Sequence, residues 1–149
     1  MNRYLAILIC ALIAAHARAE PGDVVWHDVV YREVRDLNAY PVIVQTALCA
    51  HCAGTHGIAQ PDGRFNPTDV INHDEPMRRL ILGGTANDSS IAVVEHGGYA
   101  YYVQIEQFDN KTGASKVLGH WDTRQRKKPQ SLREALEKME PVKSVEQRK

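Results

Sequence analysis

The stretch SSIAVVEHGGYAYYVQIEQFD, residues 89–109, places apolar side chains at every second position on both sides of a glycine pair. A period of two is typical of strands that bury one face, so the stretch predicts a β-hairpin. A turn of Gly97 and Gly98 alone would set Ile91 opposite Gln104 and mix the two faces. A three-residue loop, His96-Gly97-Gly98, keeps the faces separate. Gly98 then supplies the left-handed residue with which such loops commonly end.

The chosen loop fixes the expected register of the hairpin. One face then collects apolar residues that would be half-buried, namely Ile91, Val93, Tyr101 and Val103. The expected cross-strand pairs are Glu95–Tyr99, Val93–Tyr101, Ile91–Val103 and Ser89–Ile105. The opposite face, which includes Tyr102, becomes more polar towards its far end.

The segments around the hairpin predict the fold class. A turn at DNKTGA, residues 109–114, leads to a third strand over residues 115–121. The segment MRRLILGG, residues 77–84, predicts a further strand that its two glycines would break. We therefore expect an α+β fold, in which a small antiparallel β-meander of three to five strands packs against a C-terminal helix.

That helix is predicted from PQSLREALEKMEP, residues 129–141. Ser131 is a suitable N-cap, and Glu134, three residues later, completes a capping box. Pro141 would end the helix. Its apolar positions form one stripe that suits a core-facing side, namely Leu132, Ala135, Leu136 and Met139.

The first half of the expected domain is ambiguous. DVVWHDVVYREVRDL, residues 23–37, is rich in β-branched residues, yet four of its apolar residues also recur at helical spacing. YPVIVQTALCAHCAG, residues 40–54, begins like a strand but is bracketed by Pro41 and Gly54 as a helix would be. Residues 55–75 predict a long irregular loop, and loops of that length are commonly functional.

The N-terminus predicts export. Residues 1–19 place one basic residue before a short apolar run and end in Ala17-Arg18-Ala19, the layout of a secretory signal peptide cleaved near Ala19. We therefore expect a periplasmic or secreted protein, with a single domain over residues 20–141 and a flexible basic tail over residues 142–149. No transmembrane segment is expected in the mature chain. Its balanced charge, with 18 basic and 18 acidic residues in the full chain, disfavours nucleic-acid binding.

Two cysteines and two histidines fall within LCAHCAGTHG, residues 48–57. In an oxidising compartment, Cys49 and Cys52 are expected to form a local disulfide at a helix end or a turn. If the cysteines were reduced, Cys49, Cys52 and His56 could instead bind zinc or copper. No cofactor is expected under the disulfide interpretation.

A thiol-redox role is a related alternative. The segment PVIVQTALCAHC, residues 41–52, resembles the junction between strand and active site in thioredoxin-like proteins, with His51 placed where it could stabilise a thiolate. The resemblance covers about a dozen residues. In that family a long helix begins at the motif, whereas AGTHGIAQPDG, which follows here, is rich in helix breakers.

No catalytic motif is recognisable in the sequence, which makes an enzyme the less favoured class. We expect a binding module with a protein partner in the cell envelope, such as an inhibitor or immunity-type protein that occludes a toxin or hydrolase. Its contacts would come from the hairpin end and the long loop, namely His96, Tyr99, Tyr102, His73 and Asp74. The basic run TRQRKK, residues 123–128, suits an acidic protein, an anionic envelope polymer or a membrane surface.

Overall fold

A computed structural model describes residues 22–124 and 126–142 of the 149-residue chain. Its strands are β1 (Asp23–Trp26), β2 (Val29–Val34), β3 (Arg78–Thr85), β4 (Ser89–His96), β5 (Tyr102–Asp109), β6 (Ser115–Trp121) and β7 (Glu140–Pro141). Its helices are α1 (Val42–Leu48) and α2 (Leu132–Lys138), with short 3₁₀ turns at Leu37–Ala39 and Gly54–His56. The strands form one antiparallel sheet in sequence order, and the sheet curls into a half-barrel.

The predicted fold class is therefore wrong. Seven strands exceed the three to five expected, and the described residues contain only two short α-helices, so the protein is mostly an antiparallel sheet. The strand at residues 115–121 was predicted correctly. The extra strands come mainly from the segment that was ambiguous in sequence.

Residues 23–34 form a β-hairpin instead of a helix. His27 and Asp28 both have positive φ angles, 46° and 63°. A tight turn with two such residues matches the twist of the strands beside it. Tyr31 pairs with Val24 across this hairpin and is fully buried. Burial of β-branched and aromatic side chains in the sheet thus prevails over the helical spacing.

The second ambiguous segment forms a helix. Pro41 precedes the first turn of α1, where its lack of an N–H costs no hydrogen bond. Cys49 ends the helix in the left-handed conformation, with φ 62° and ψ 40°. Helix α1 buries Val44 and Leu48 against the sheet.

The two predicted strand breakers lie inside β3, which continues through both glycines. A bulge at Ile81 places Leu80 and Leu82 in different core clusters, because it shifts the alternation by one residue. Gly83 and Gly84 therefore face the chain segments that pack on opposite faces of the sheet. A Cβ on Gly83 would overlap the Tyr40 hydroxyl, and a Cβ on Gly84 would overlap the Leu132 side chain. They allow close packing on both sides of the strand.

Two core clusters occupy the two faces of the sheet. The larger draws on β1 to β6, as expected for the inner face of a curled sheet, and α2 covers it with Leu132, Ala135 and Leu136. The smaller is covered by α1 and the 3₁₀ turn before it, and its members are Leu37, Tyr40, Val44, Leu48, Ile58, Leu80, Ala92, Val94 and Phe108.

The central hairpin has the predicted faces but not the predicted register. Glu95 pairs with Val103 instead of Tyr99, so the loop is five residues long, from Gly97 to Tyr101. The shift is an even number of residues, which leaves the face of each strand residue unchanged. The longer loop is selected by tertiary contact, since the Gly97 N–H donates to the carbonyl oxygen of Met77 at 2.7 Å.

The N-cap predicted for α2 is confirmed. The Ser131 hydroxyl accepts from the Glu134 N–H at 3.1 Å. The Glu134 carboxylate reaches the Gln130 N–H instead of that of Ser131, so the box closes one residue earlier than expected. Helix α2 ends before Met139, and Pro141 lies in β7.

The predicted signal peptide, residues 1–19, lies outside the described residues, as does the predicted tail apart from Val142. Within the ranges that the structure describes, no helix has the length and apolar character needed to cross a membrane.

The contact between Gly83 and Tyr40 generates a stability prediction. Gly83→Ala should destabilise the fold by about 3 kcal/mol, because the new methyl group overpacks the core. Tyr40→Phe should cost about 1 kcal/mol through loss of its hydrogen bond to the carbonyl oxygen of Ile91. The double variant should lose less than the sum, since removal of the hydroxyl relieves one overlap, while the overlap with the Ile91 carbonyl oxygen remains. Urea unfolding tests this, and costs that add to within about 0.5 kcal/mol would contradict it.

Candidate functional site

Three of the predicted binding residues lie together at one end of the sheet, where β4 passes into β5. His96 ends β4 and pairs with Tyr102, the first residue of β5. Their rings stack, with centroids 4.4 Å apart and planes 6° from parallel. Tyr99 lies between them in the loop and is 97% exposed. We call residues 96–102 the hairpin tip.

The His96 ring packs against Tyr102 at the base of the hairpin tip. Its Nε2 atom is buried and has no hydrogen-bond partner among the described residues. Burial, together with the nearby charges of Arg78 and His120, lowers the pKa of His96 to about 4. The imidazole is therefore neutral at pH 7 and presents a flat surface to Tyr102. The rings of Tyr102 and His120 form an edge-to-face pair with centroids 6.0 Å apart, so the three rings cross β4, β5 and β6.

The long loop braces the hairpin tip. Asn66 is 6% exposed, and its carbonyl oxygen lies so close to Gly97 that a Cβ there would overlap it. The Asn66 N–H donates to the carbonyl oxygen of Pro76 at 2.8 Å. The Asn66 side chain donates to the carbonyl oxygen of Val70 at 2.5 Å and accepts from Thr68. One buried asparagine therefore links the loop to the tip and shapes both.

The contacts of Asn66 bring the exposed apolar residues Val70 and Ile71 to the same end of the molecule as the hairpin tip. Val70 and Ile71 are 73% and 60% exposed, and Val70 bonds to the asparagine that packs on Gly97. Exposed apolar side chains grouped on one surface are typical of interaction sites.

The other two predicted contact residues, His73 and Asp74, lie further along the same loop and are exposed. The carbonyl oxygen of His73 lies over Gly54, beside the cysteine segment. The Asp74 N–H donates to the Asn72 side chain at 3.1 Å, which stabilises a local turn. The contacts that join loop and tip run through Asn66 and Met77, so His73 and Asp74 lie on another part of the loop.

A buried carboxylate beneath the tip was not predicted from sequence. Glu95 is 1% exposed and accepts from Arg79 Nε at 2.5 Å, Lys128 Nζ at 2.6 Å and the Tyr101 hydroxyl at 2.7 Å. Arg79 also lies over the Phe65 ring, 4.3 Å from its centroid. A signal was present, because Glu95 continues the buried alternation of Ile91 and Val93. An acid at such a position is buried only when it is paired.

The partners of Glu95 determine its charge. Burial alone would raise the pKa of Glu95, but the hydrogen bonds from Lys128, Arg79 and Tyr101 outweigh it and hold that pKa below its ordinary value. Burial and the hydrogen bond to Glu95 raise the pKa of Tyr101. With both carboxylate oxygens occupied and no access to water, Glu95 is placed for a structural role rather than for acid–base catalysis.

Cys49 and Cys52 are joined by a disulfide, with their Cα atoms 5.1 Å apart. The bridge lies at the end of α1, where Cys49 leaves the helical conformation, as its spacing requires. Arg78 donates to the carbonyl oxygens of Leu48 at 3.0 Å and His56 at 2.8 Å. The disulfide, the helix end and the His56 turn therefore meet at one arginine.

The redox and metal hypotheses require different surroundings from these. A helix, not a strand, precedes the first cysteine, and only a 3₁₀ turn follows the second, so the segment does not share the thioredoxin-like arrangement. His51 bonds to Gln45 at 3.1 Å. Among the described residues, no group of three or more His, Cys, Asp or Glu side chains is placed to hold a metal ion. A disulfide offers no thiolate ligand.

The chain matches no protein-family model, and neither a curated protein nor a solved structure is similar to it. Its function must therefore be argued from the site itself.

The Glu95 cluster predicts a specific loss of stability. Glu95→Gln should destabilise the fold at pH 7 by about 3 kcal/mol, because Arg79 and Lys128 lose their buried counter-charge. The folded-state pKa of Glu95 is lowered, so its contribution is complete above about pH 4.3, the unfolded value, and is lost as pH falls through the folded value. The difference between variant and wild type in urea unfolding should therefore shrink towards pH 3.

Glu137→Gln is a matched control for this change. Glu137 is 60% exposed and lies 4.0 Å from Arg133, so its loss should cost less than about 0.5 kcal/mol. Equal effects of the two substitutions at pH 7, or a Glu95→Gln effect that persists unchanged at pH 3, would contradict the assignment.

The disulfide predicts that a native chain of residues 20–149, which lacks Cys10, has no free thiol. Its intact mass should rise by two hydrogens on reduction, and iodoacetamide should label it only after reduction. Cys49→Ala with Cys52→Ala should cost about 2 kcal/mol, the value expected for closing so short a loop. Labelling of both cysteines in the unreduced native protein would show that the disulfide is absent.

Proposed function

We propose that the protein is a non-catalytic binding module that acts outside the cytoplasm by inserting its hairpin tip into a cleft of a protein partner. The observation that carries this proposal is Tyr99, which is 97% exposed at the end of a loop fixed from below. Tyrosine is among the residues that most often dominate binding energy at interfaces, since it offers a large, rigid surface with few rotatable bonds.

The bracing of the tip supports this function energetically. Gly97 is held by Met77 and Asn66, Tyr101 by Glu95, and Tyr102 by the His96 ring. A loop already ordered before contact loses little conformational entropy on binding. Tyr99 is left free to fill a pocket while its neighbours are fixed.

The shape of the tip favours occlusion of a cleft. A hairpin end is narrow, and the exposed Val70 and Ile71 belong to the loop that braces it. We propose that these apolar side chains lie against the rim of the partner's cleft while Tyr99 enters it. An inhibitor or immunity-type protein that blocks a toxin or hydrolase would bind in this way.

The disulfide and the signal-peptide pattern support export. Both suit a partner in the cell envelope. The alternative function, metal binding or thiol redox at Cys49, Cys52 and His56, would first require reduction of the disulfide. The labelling experiment above therefore also separates the two functions.

The proposal predicts which surface residue controls affinity. A photoreactive phenylalanine analogue at position 99 should crosslink one envelope protein that the same analogue at position 111 does not. With that protein purified, Tyr99→Ala should weaken binding at least about tenfold, or about 1.4 kcal/mol, in calorimetry. Val25→Ala, which truncates another exposed apolar residue in β1, should change affinity less than about twofold. Unchanged affinity of Tyr99→Ala would refute the proposed mode of binding.

A further inference from the structure

A concave surface lies beside the hairpin tip. It is an open cleft of about 860 Å³ between the linker that follows β6 and the exposed side of α2. Its lining residues are all charged or polar, namely Arg126, Lys127, Lys128, Gln130, Glu134 and Lys138. We call it the basic cleft.

Three of the four cationic side chains of the basic cleft are held in place by other groups. Arg126 donates to the carbonyl oxygen of Lys138 at 2.5 Å and lies 5.7 Å from the centroid of the Trp121 ring. Lys128 pairs with the buried Glu95, and Lys138 pairs with Glu134 at 3.0 Å. Their positions are therefore fixed before any ligand arrives, which lowers the entropic cost of binding.

The cleft keeps an excess of positive charge after these pairings. Four cations face two carboxylates, and one of the two, Glu95, is buried behind Lys128. Lys127 is exposed, and within residues 22–124 and 126–142 its ammonium group makes no ion pair. A concave surface of one sign concentrates the local potential and attracts opposite charge.

The basic cleft and the hairpin tip are continuous. The same oxygen of Glu95, Oε2, accepts from Lys128 of the cleft at 2.6 Å and from Tyr101 of the tip at 2.7 Å. A protein that covers the tip therefore has the cleft directly beside its contact surface.

We propose that the basic cleft binds an acidic segment, rich in Asp and Glu, of the same protein partner that receives the hairpin tip. This inference rests on the proposed function for the identity of the ligand as a polypeptide. Charge complementarity selects the acidic composition, and the size of the cleft suits several consecutive residues rather than a single anion. Apolar insertion at the tip would supply most of the affinity, and the cleft would supply orientation and a fast, salt-sensitive association.

The experiment uses the mature protein and a defined probe, fluorescein-labelled hexaglutamate, followed by fluorescence anisotropy. Affinity should fall at least about fivefold between 50 and 300 mM NaCl as the charges are screened. Lys127→Glu should lower affinity about fivefold. Lys111→Glu makes the same charge change on an exposed side chain outside the cleft and should have less than about a twofold effect.

Three results would overturn the inference. The first is that hexaglutamate binds no more tightly than hexalysine, and the second is that the two lysine variants have equal effects. The third is that a sulfated oligosaccharide binds more than about tenfold more tightly than hexaglutamate. The last result would assign the cleft to an anionic polysaccharide. Tyr99→Ala should leave hexaglutamate binding unchanged. If Tyr99→Ala abolishes partner binding but hexaglutamate does not bind, only the acidic-segment inference is refuted. If hexaglutamate binds but Tyr99→Ala leaves the affinity for the partner unchanged, only the proposed function is refuted.

Discussion

The carboxylate of Glu95 binds side chains from three separate parts of the chain. Its donors come from β3, from the hairpin tip and from the linker before α2. Removing a carboxylate from water costs several kcal/mol, and the cost is offset only where donors occupy both oxygens. The carboxylate thus ties the three segments to one position. The Glu95 carboxylate therefore fixes the position of the hairpin tip relative to the basic cleft.

Both faces of the sheet carry a core cluster that a helix covers, and the hairpin tip lies at one end of the sheet. The bulge at Ile81 turns Leu80 towards one face and Leu82 towards the other. The two glycines that follow it allow the covering segments to pack closely against both faces. Helix α1 packs on one face and helix α2 on the other. The end where β4 meets β5 carries the exposed tyrosines. Apolar burial therefore stabilises the middle of the sheet, and polar contacts shape its free end.

Local pattern predicted part of this structure. Alternation in residues 89–109 gave the faces of the central hairpin, and the Ser131 cap gave the start of α2, because both signals act within a few residues. The hairpin register depends on Met77 and Asn66, which are distant in sequence and whose contact with Gly97 no local pattern encodes. The same holds for Gly83 and Gly84, whose role follows from the side chains of Tyr40 and Leu132, which are distant in sequence. The β-hairpin at residues 23–34 was left undecided between strand and helix because helical spacing and β-branched composition competed within one segment.

The position of Tyr99 was predicted, but not what supports it. The sequence placed the tyrosine at a loop, yet Glu95, Arg79 and Lys128 are brought together only by the fold. The cysteine pair belongs to this support as well. Its disulfide fixes the end of α1, whose Leu48 carbonyl oxygen receives Arg78, and Arg78 is the β3 partner of His96 under the tip. A motif that suggested chemistry in the sequence therefore has a structural role, since it holds in place the strand that lies beside the hairpin tip.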